Sequence, residues 1–102
     1  TGSPGGSKII TIVLQMIVNM VDYGMGVAEA TAAPRIHHQW LPDLVNYESG
    51  ISFDTLQALE KMGHKIDKEA SVIGAAQSIN KKNGRLYGAA DTRRHGAAAI
   101  AE

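Results

Sequence analysis

Residues 1–24 read TGSPGGSKIITIVLQMIVNMVDYG, a glycine-rich loop that runs directly into a long apolar stretch. Ser7 belongs to a residue type that caps helices, and the apolar pattern predicts a helix over residues 9–21. Polar residues recur along this helix every three or four positions and form one narrow stripe, namely Thr11, Gln15, Asn19 and Asp22. Because every other face is apolar, we expect the helix to be sandwiched between packed layers.

Two further helices are predicted downstream. Residues 27–33 form a short helix that Pro34 closes, because proline pushes the preceding residue out of the helical region. Ser52 is a candidate N-cap for a third helix that ends at Gly63. The apolar residues of this helix share one face, namely Phe53, Leu56, Leu59 and Met62. We expect this amphipathic helix to lie on the surface.

Extended structure is expected between and after these helices. Residues 36–48 are rich in β-branched and aromatic residues but are broken by Pro42, which favours two short strands. A brief strand is predicted over residues 65–67. Residues 72–80 and 85–90 flank an Asn-Gly pair at positions 83 and 84, which is a strong signal for a β-hairpin. The order of these elements indicates a layered α+β fold.

Composition excludes several classes of function. The 102 residues carry ten Lys+Arg and ten Asp+Glu and have a formal net charge of zero, so we expect no nucleic-acid partner. The absence of cysteine removes thiol catalysis and zinc-finger geometry. The apolar stretch at residues 9–21 contains polar residues and is shorter than the roughly 18 residues needed to cross a bilayer, so no membrane span is expected.

The chain is predicted to hold one domain over residues 1–94 and a flexible tail over residues 95–102. A natural protein seldom begins with a glycine-rich turn that feeds an apolar helix. This beginning favours a piece of a longer protein.

The glycine loop, residues 2–7, is the motif that carries chemistry. The backbone N–H groups of Gly5, Gly6 and Ser7 can converge near a positive helix terminus, and such a nest binds an anion. Acyl transfer needs two donors aimed at the developing oxyanion, and glycine lets the backbone approach it without a Cβ. The alternative interpretation is a turn that only connects two elements.

Several segments together resemble the γ-glutamyltransferase (glutathione hydrolase) family. They are TGSPGGS at 1–7, IIT at 9–11, DYG at 22–24, EATAAPR at 29–35, HHQWLPD at 37–43, QSI at 77–79 and LYGAAD at 86–91. The chain resembles the C-terminal part of the family's small subunit over nearly its whole length up to Arg93.

The resemblance implies part of an N-terminal nucleophile hydrolase with α/β/β/α layers, incomplete in this chain. Members of the family cut themselves into two subunits, and the small subunit then begins with the catalytic threonine. Gly5 and Gly6 would supply the oxyanion-hole amides. The nucleophile and the residues that hold the glutamyl α-amino and α-carboxyl groups lie upstream in the family. Thr1, which directly precedes the glycine loop, is therefore not expected to be the nucleophile.

Arg35, Asp91 and Arg93 resemble family residues that hold the mature fold and support self-cleavage. Arg93 lies where the family usually reads Asp-Pro-Arg, and Thr92 replaces that proline here. Asp91 and Arg93 keep the charges needed for a buried pair. The alternative is that both arginines are solvated surface residues.

The histidines do not predict a metal site. His37 and His38 are adjacent, and neighbouring side chains on a strand point to opposite faces. With only His64 and His95 elsewhere, we expect neither a metal nor a cofactor.

The resemblance implies an enzyme that transfers a γ-glutamyl group from glutathione or related γ-glutamyl amides to water or amino acids, through a γ-glutamyl-threonine ester. This chain would supply the oxyanion hole and would be inactive alone, because it lacks the nucleophile. The large subunit and the N-terminal part of the small subunit would be its partners, and the location would be periplasmic or extracellular. The alternative is a non-catalytic folding or assembly module. In isolation we expect the chain to self-associate through uncovered apolar surface.

Overall fold

Three α-helices and four strands make up residues 1–100, the part of the chain that the computed structural model describes. After a turn of 3₁₀ helix at Gly6–Lys8, they are α1 (Ile9–Val21), α2 (Val27–Ala32), β1 (Ile36–His37), β2 (Asn46–Tyr47), α3 (Phe53–Lys61), β3 (Gln77–Lys82) and β4 (Arg85–Ala90). This mixture of helices and strands confirms the predicted α+β class. Within these residues, no helix has the length and apolarity that crossing a membrane requires.

One face of α1 builds the core. Ile12 and Met16 are buried in a cluster with Ala30 of α2 and with Ile73 and Ala76, which precede β3. The opposite face stays exposed, with exposed fractions of 76% at Ile10, 56% at Leu14, 50% at Ile17 and 74% at Val21. We call these four residues the α1 stripe. Packing on both sides was expected, and within the described residues it occurs on one side only.

The polar stripe of α1 holds β1 in place. The Gln15 side chain donates from Nε2 to Ile36 O at 2.7 Å and accepts from Ile36 N at 3.0 Å. Thr11 Oγ1 lies 2.6 Å from Nδ1 of the buried His37. One side-chain amide therefore makes both hydrogen bonds that a neighbouring strand would supply. This contact explains why polar residues interrupt an apolar helix.

The hairpin between β3 and β4 turns at Asn83 and Gly84, as predicted. Their φ angles are 51° and 76°, which is the conformation of a type I′ turn. The first strand begins at Gln77 rather than at residue 72, because residues 73–76 form a loop in which Gly74 has a φ of 70°. Gly2 pairs with Gln77 through two backbone hydrogen bonds of 3.1 and 2.8 Å. The N-terminal residues therefore lie beside the start of β3.

The extended region between α2 and α3 contains two short strands, as predicted. β1 and β2 pair in antiparallel fashion, with Ile36 opposite Tyr47. The strand predicted over residues 65–67 is wrong, because that segment makes only an isolated bridge between Ile66 and Val45. One bridge is too short a pairing to form a strand.

Ser7 does not cap α1, which corrects the prediction for this residue. The 3₁₀ turn runs directly into α1, so the helix begins after Lys8 without a side-chain cap. The Ser7 hydroxyl instead donates to Oε1 of Gln39 at 2.8 Å. A preceding turn has thus replaced the side-chain cap.

The ends of α2 and α3 follow the predicted signals closely. α2 ends at Ala32, one residue early, because Ala33 before Pro34 is extended with ψ 137°. Ser52 caps α3 and accepts from Thr55 N at 3.3 Å, which confirms that prediction. No residue of α3 is buried, so the helix lies on the surface as expected.

The predicted tail begins at residue 95. Residues 95–100 form no helix or strand. The tail approaches the hairpin, since a Cβ added to Gly88 would lie 3.0 Å from Cβ of Ala99. Residues 101 and 102 lie outside the described residues.

Candidate functional site

The glycine loop contains two glycines in backbone conformations that other residues avoid. Gly5 has a φ of 136° and Gly6 a φ of 58°, and both residues are exposed. The Gly5 carbonyl accepts from Lys8 N at 3.1 Å, whereas the amide hydrogens of Gly5 and Gly6 have no acceptor among residues 1–100. A positive φ followed by a helical turn is a backbone sequence that forms anion-binding nests. The loop therefore offers two free backbone donors in front of α1.

Thr1 lies on the other side of the loop and is attached to the hairpin. Its Oγ1 is 2.6 Å from Oγ of Ser78, and the next residue, Gly2, pairs with Gln77. The hydroxyl of Thr1 is thus engaged with β3.

Three ion pairs join four residues into what we call the charge network: Arg35 with Asp91, Arg93 with Glu48, and Arg93 with Asp91. Glu48 holds Arg93 in a bidentate pair in which Nε–Oε2 and Nη2–Oε1 both measure 2.6 Å. The Glu48 carboxylate also accepts backbone N–H groups from Arg35 at 2.8 Å and from Ile73 at 3.1 Å. Both carboxylate oxygens therefore receive two hydrogen bonds each.

Asp91 pairs with Arg35 at the centre of this network. The distance from Arg35 Nη1 to Asp91 Oδ2 is 2.9 Å, and the two side chains are 2% and 1% exposed. Asp91 also accepts from Arg93 N at 3.0 Å, which is an Asx-type turn. This turn holds Arg93 in place although Thr92 stands where proline was expected. The alternative of two solvated surface arginines is wrong for both residues, since Arg93 is only 12% exposed.

The network also satisfies the C-terminal end of α2. Thr31 O accepts from both guanidinium groups, at 3.0 Å from Arg35 and 2.7 Å from Arg93. Ala33 O accepts from Arg93 at 2.9 Å. These carbonyls have no partner within the helix, and cationic side chains bind such groups well. Among the described residues, every buried side-chain nitrogen and oxygen has a hydrogen-bond partner.

The ionised forms of three members of the network, Glu48, Asp91 and Arg93, are favoured. Burial disfavours the carboxylate of Glu48, but hydrogen bonds from Arg93 and two backbone amides outweigh burial and lower its pKa. Burial likewise opposes ionisation of Asp91, and the amide and guanidinium donors around it lower its pKa as well. Hydrogen bonds to Glu48 outweigh burial at Arg93 and raise the pKa of that guanidinium. Two positive and two negative charges therefore balance inside the domain.

A cleft of about 270 Å³ connects the charge network with the glycine loop. It is lined by Pro4, Gly5, Gly74, Ala75, Arg93 and Arg94. The structure thus brings Gly5 and Arg93 to one cleft, while Arg35 and Asp91 lie buried beneath it without lining it.

The two adjacent histidines have separate partners. His37 is buried beside Thr11, and His38 pairs with Asp43 Oδ1 at 3.0 Å on the surface. Within residues 1–100, no group of three or more His, Cys, Asp or Glu side chains is arranged to hold a metal ion.

Sequence reasoning missed Glu48. It identified two arginines and a single carboxylate, Asp91, although two buried guanidinium groups require two compensating charges. The signal lay in the extended segment 36–48, which ends in a carboxylate after β-branched and aromatic residues. Its pairing with Arg93 depends on a contact across 45 residues, which no local pattern reports.

The comparisons with known proteins agree with one another. A family model described as gamma-glutamyltranspeptidase matches residues 1–101. The chain is 61% identical over 95 residues to the glutathione hydrolase proenzyme of Escherichia coli (strain K12), covering 91% of this chain and 16% of that protein. It is 42% identical over 99 residues to the proenzyme of Bacillus subtilis (strain 168), covering 95% and 17%. The chain thus spans about a sixth of the length of these relatives.

Solved structures share this fold. The gamma-glutamyltranspeptidase from Pseudomonas nitroreducens complexed with L-DON aligns with a TM-score of 0.87 at 31% identity, covering 99% of this chain and 54% of that one. The T380A mutant of the Helicobacter pylori enzyme aligns with a TM-score of 0.80 at 45% identity, covering 91% and 52%.

Proposed function

The chain belongs to the γ-glutamyltranspeptidase family, whose members are N-terminal nucleophile hydrolases, and from this premise we propose what it does. It works as one segment of a longer enzyme that transfers a γ-glutamyl group from glutathione or a related γ-glutamyl amide to water or an amino acid. The acyl group passes through a γ-glutamyl-threonine ester. The threonine belongs to a segment upstream of this chain, and this chain contributes the oxyanion hole.

The observation that carries the proposal is the pair of free amides on Gly5 and Gly6. When the threonine hydroxyl adds to the γ-carbonyl carbon, the carbonyl oxygen becomes negative. Two amide donors that are already oriented stabilise that charge without reorganising. Neither glycine has a Cβ, so the reacting oxygen can approach the backbone without meeting a side chain on these two residues.

The charge network supports this loop and, we infer, the self-cleavage of the precursor. Arg35 and Arg93 are neutralised by Glu48 and Asp91, so neither guanidinium is free to bind substrate. Their role in the proposal is to hold the structure around the loop. In one matched structure, an acivicin-inhibited gamma-glutamyltranspeptidase, the C-terminus of that protein has critical roles in autoprocessing and catalysis.

Substitution of Gly6 in the full-length enzyme tests the proposal. Valine cannot hold a φ of 58°, so Gly6→Val turns the amide away from the oxyanion. We expect single-turnover acylation by a γ-glutamyl anilide to slow by about 10²-fold or more, with a smaller change in substrate binding.

The matched control is Gly24→Val. Gly24 has a φ of 67°, and like Gly6 it has no atom within 4 Å of an added Cβ, so both substitutions impose similar local strain. Equal acylation rates in the two variants would remove the glycine loop from the site and overturn the proposal.

The second candidate function is a non-catalytic assembly module, which the α1 stripe favours. Four large apolar side chains on one helix face are at least half exposed. In the enzyme, we propose that the upstream part of the protein covers this face. In a module without catalysis, the same face would bind a partner, and Gly6→Val would change the stability of the chain no more than Gly24→Val does.

A further inference from the structure

Ser3 joins the glycine loop to a distant segment of backbone. Its hydroxyl donates to Pro4 O at 2.8 Å and accepts from Ala75 N at 3.1 Å. One contact lies next to the glycines and the other lies 72 residues away along the chain. The side chain therefore connects the two walls of the cleft.

The segment on the far side of this bridge is held by the charge network. Ile73 N donates to Glu48 at 3.1 Å, and Ile73 O accepts from Arg35 at 2.9 Å. Ala76 N donates to Asp91 at 2.7 Å. Ile73 and Ala76 are both 0% exposed. Since the residues on either side of the 74–75 pair are fixed, Ala75 N is presented from a rigid position.

Gly74 leaves the space that the bridge needs. Its φ is 70°, and an added Cβ would overlap the end of the Ile12 side chain and lie 2.7 Å from Ser3 Oγ. The same end of Ile12 lies 3.5 Å from a Cβ position on Gly5. A side chain at position 74 would therefore displace two groups that contact the glycine loop.

We propose that Ser3 is a positioning residue for the amides of Gly5 and Gly6, and that Gly74 admits it. Ser3 transmits the fixed geometry of the charge network to the loop, through Ala75 on one side and Pro4 on the other. The inference rests on the proposed function, because it takes those two amides to be the oxyanion donors.

Kinetics of Ser3→Ala in the full-length enzyme give the first test. Without the hydroxyl the loop loses its connection to Ala75, and misplacement of catalytic groups by about 1 Å lowers rates by up to about 10²-fold. We expect kcat for γ-glutamyl anilide hydrolysis to fall by about 10-fold or more while KM changes by less than about twofold, because the amides act mainly on the transition state. A merely structural substitution would reduce the amount of mature enzyme and leave its kcat intact.

A double-mutant cycle gives the second test. Gly74→Ala places a Cβ 2.7 Å from Ser3 Oγ and also against the end of the Ile12 side chain, and the first of these two contacts disappears when Ser3 is alanine. The Ser3→Ala/Gly74→Ala variant should therefore acylate faster than the product of the two single effects predicts. Gly24→Ala controls for left-handed strain, because its φ of 67° matches and its surroundings are open.

The outcomes separate this inference from the proposed function. A kcat of Ser3→Ala within about twofold of the parent enzyme, or additive effects in the cycle, would overturn the role of Ser3. If Gly6→Val also left acylation unchanged, the proposed function itself would fail. Maturation of the double variant where Gly74→Ala alone fails to mature would support the coupling, since loss of the Ser3 hydroxyl removes one of the two close contacts at position 74.

Discussion

At the scale of single residues, the charge network allows two arginines to be buried in a small domain, because each guanidinium group is paired with a carboxylate. An unpaired buried charge costs several kcal/mol, and good geometry is needed to offset the loss of hydration. Arg93 meets this condition through two bonds of 2.6 Å to Glu48, and Arg35 through its pair with Asp91. The same carboxylates accept backbone amides from loops, so each charge also organises the chain around it.

The stability of the chain is predicted to fall in acid. Glu48 and Asp91 have lowered pKa values in the folded state, so the unfolded state binds more protons as the pH falls through about 4. Their contribution to the free energy of unfolding is present above the ordinary carboxyl range and is lost below it. Unfolding in urea at a series of pH values should show this decline.

Glu48→Gln tests the source of this dependence. We expect it to lower the free energy of unfolding at neutral pH by about 3 kcal/mol or more, because two buried guanidinium groups then share the single carboxylate of Asp91. The decline toward acid should become shallower in this variant, whereas Glu60→Gln on the exposed α3 should keep the parent profile. If the free energy of unfolding of Glu48→Gln declined with falling pH as steeply as that of the parent chain, groups other than Glu48 would control acid unfolding.

At the scale of secondary-structure elements, the residues of α1 form three sets with different surroundings. Ile12 and Met16 fill the core, the polar stripe binds β1, and the α1 stripe faces outward. The outward face extends over roughly 16 Å of helix, at 1.5 Å per residue. A face of this kind needs a covering layer.

The isolated chain is therefore predicted to self-associate. Each large aliphatic side chain that is removed from water gains roughly 1.5 to 3 kcal/mol, which favours a dimer or larger species. Leu14→Lys, in the middle of the α1 stripe, should shift the sedimentation profile toward the monomer. Met62→Lys, at a residue 74% exposed beyond the end of α3, should leave association unchanged.

A compact monomer would contradict this prediction. Sharp, well-dispersed amide resonances together with no binding of a hydrophobic dye would show that the chain covers its own apolar surface. Equal association in the Leu14→Lys and Met62→Lys variants would place the contact elsewhere on the molecule.

At the scale of the whole molecule, the chain holds the proposed oxyanion loop and the residues that support it, and the proposed nucleophile is not among its residues. Thr1 is attached to Ser78 on the hairpin, at 2.6 Å between the two hydroxyl oxygens. We predict that the chain alone does not hydrolyse a γ-glutamyl anilide, because stabilising an oxyanion has no effect when no hydroxyl attacks.

Release of the aniline product by the purified chain measures this directly. The full-length enzyme serves as the positive control. Turnover that disappears in Thr1→Ala would identify Thr1 as an N-terminal nucleophile and would reverse the assignment made for it.

Features that depend on neighbours along the chain could be predicted from the amino-acid sequence. The cap at Ser52 and the type I′ turn at Asn83 and Gly84 follow from the conformational preferences of a few residues. The family was also predictable, since its motifs are distributed along the chain from residue 1 to residue 91, and the glycine loop could be singled out because glycine alone suits its backbone.

Contacts between distant residues, by contrast, were decided by tertiary packing. Glu48 and Arg93 are 45 positions apart, and Ser3 and Ala75 are 72 positions apart. No local or periodic pattern in the sequence indicates contacts over such separations. Ser7 and the start of β3 were predicted wrongly for the same reason: a hydrogen bond to Gln39 and the loop around Gly74 override local preference. Hydrogen bonds and ion pairs depend on position in space within a few tenths of an ångström, and packing of the whole chain sets that position.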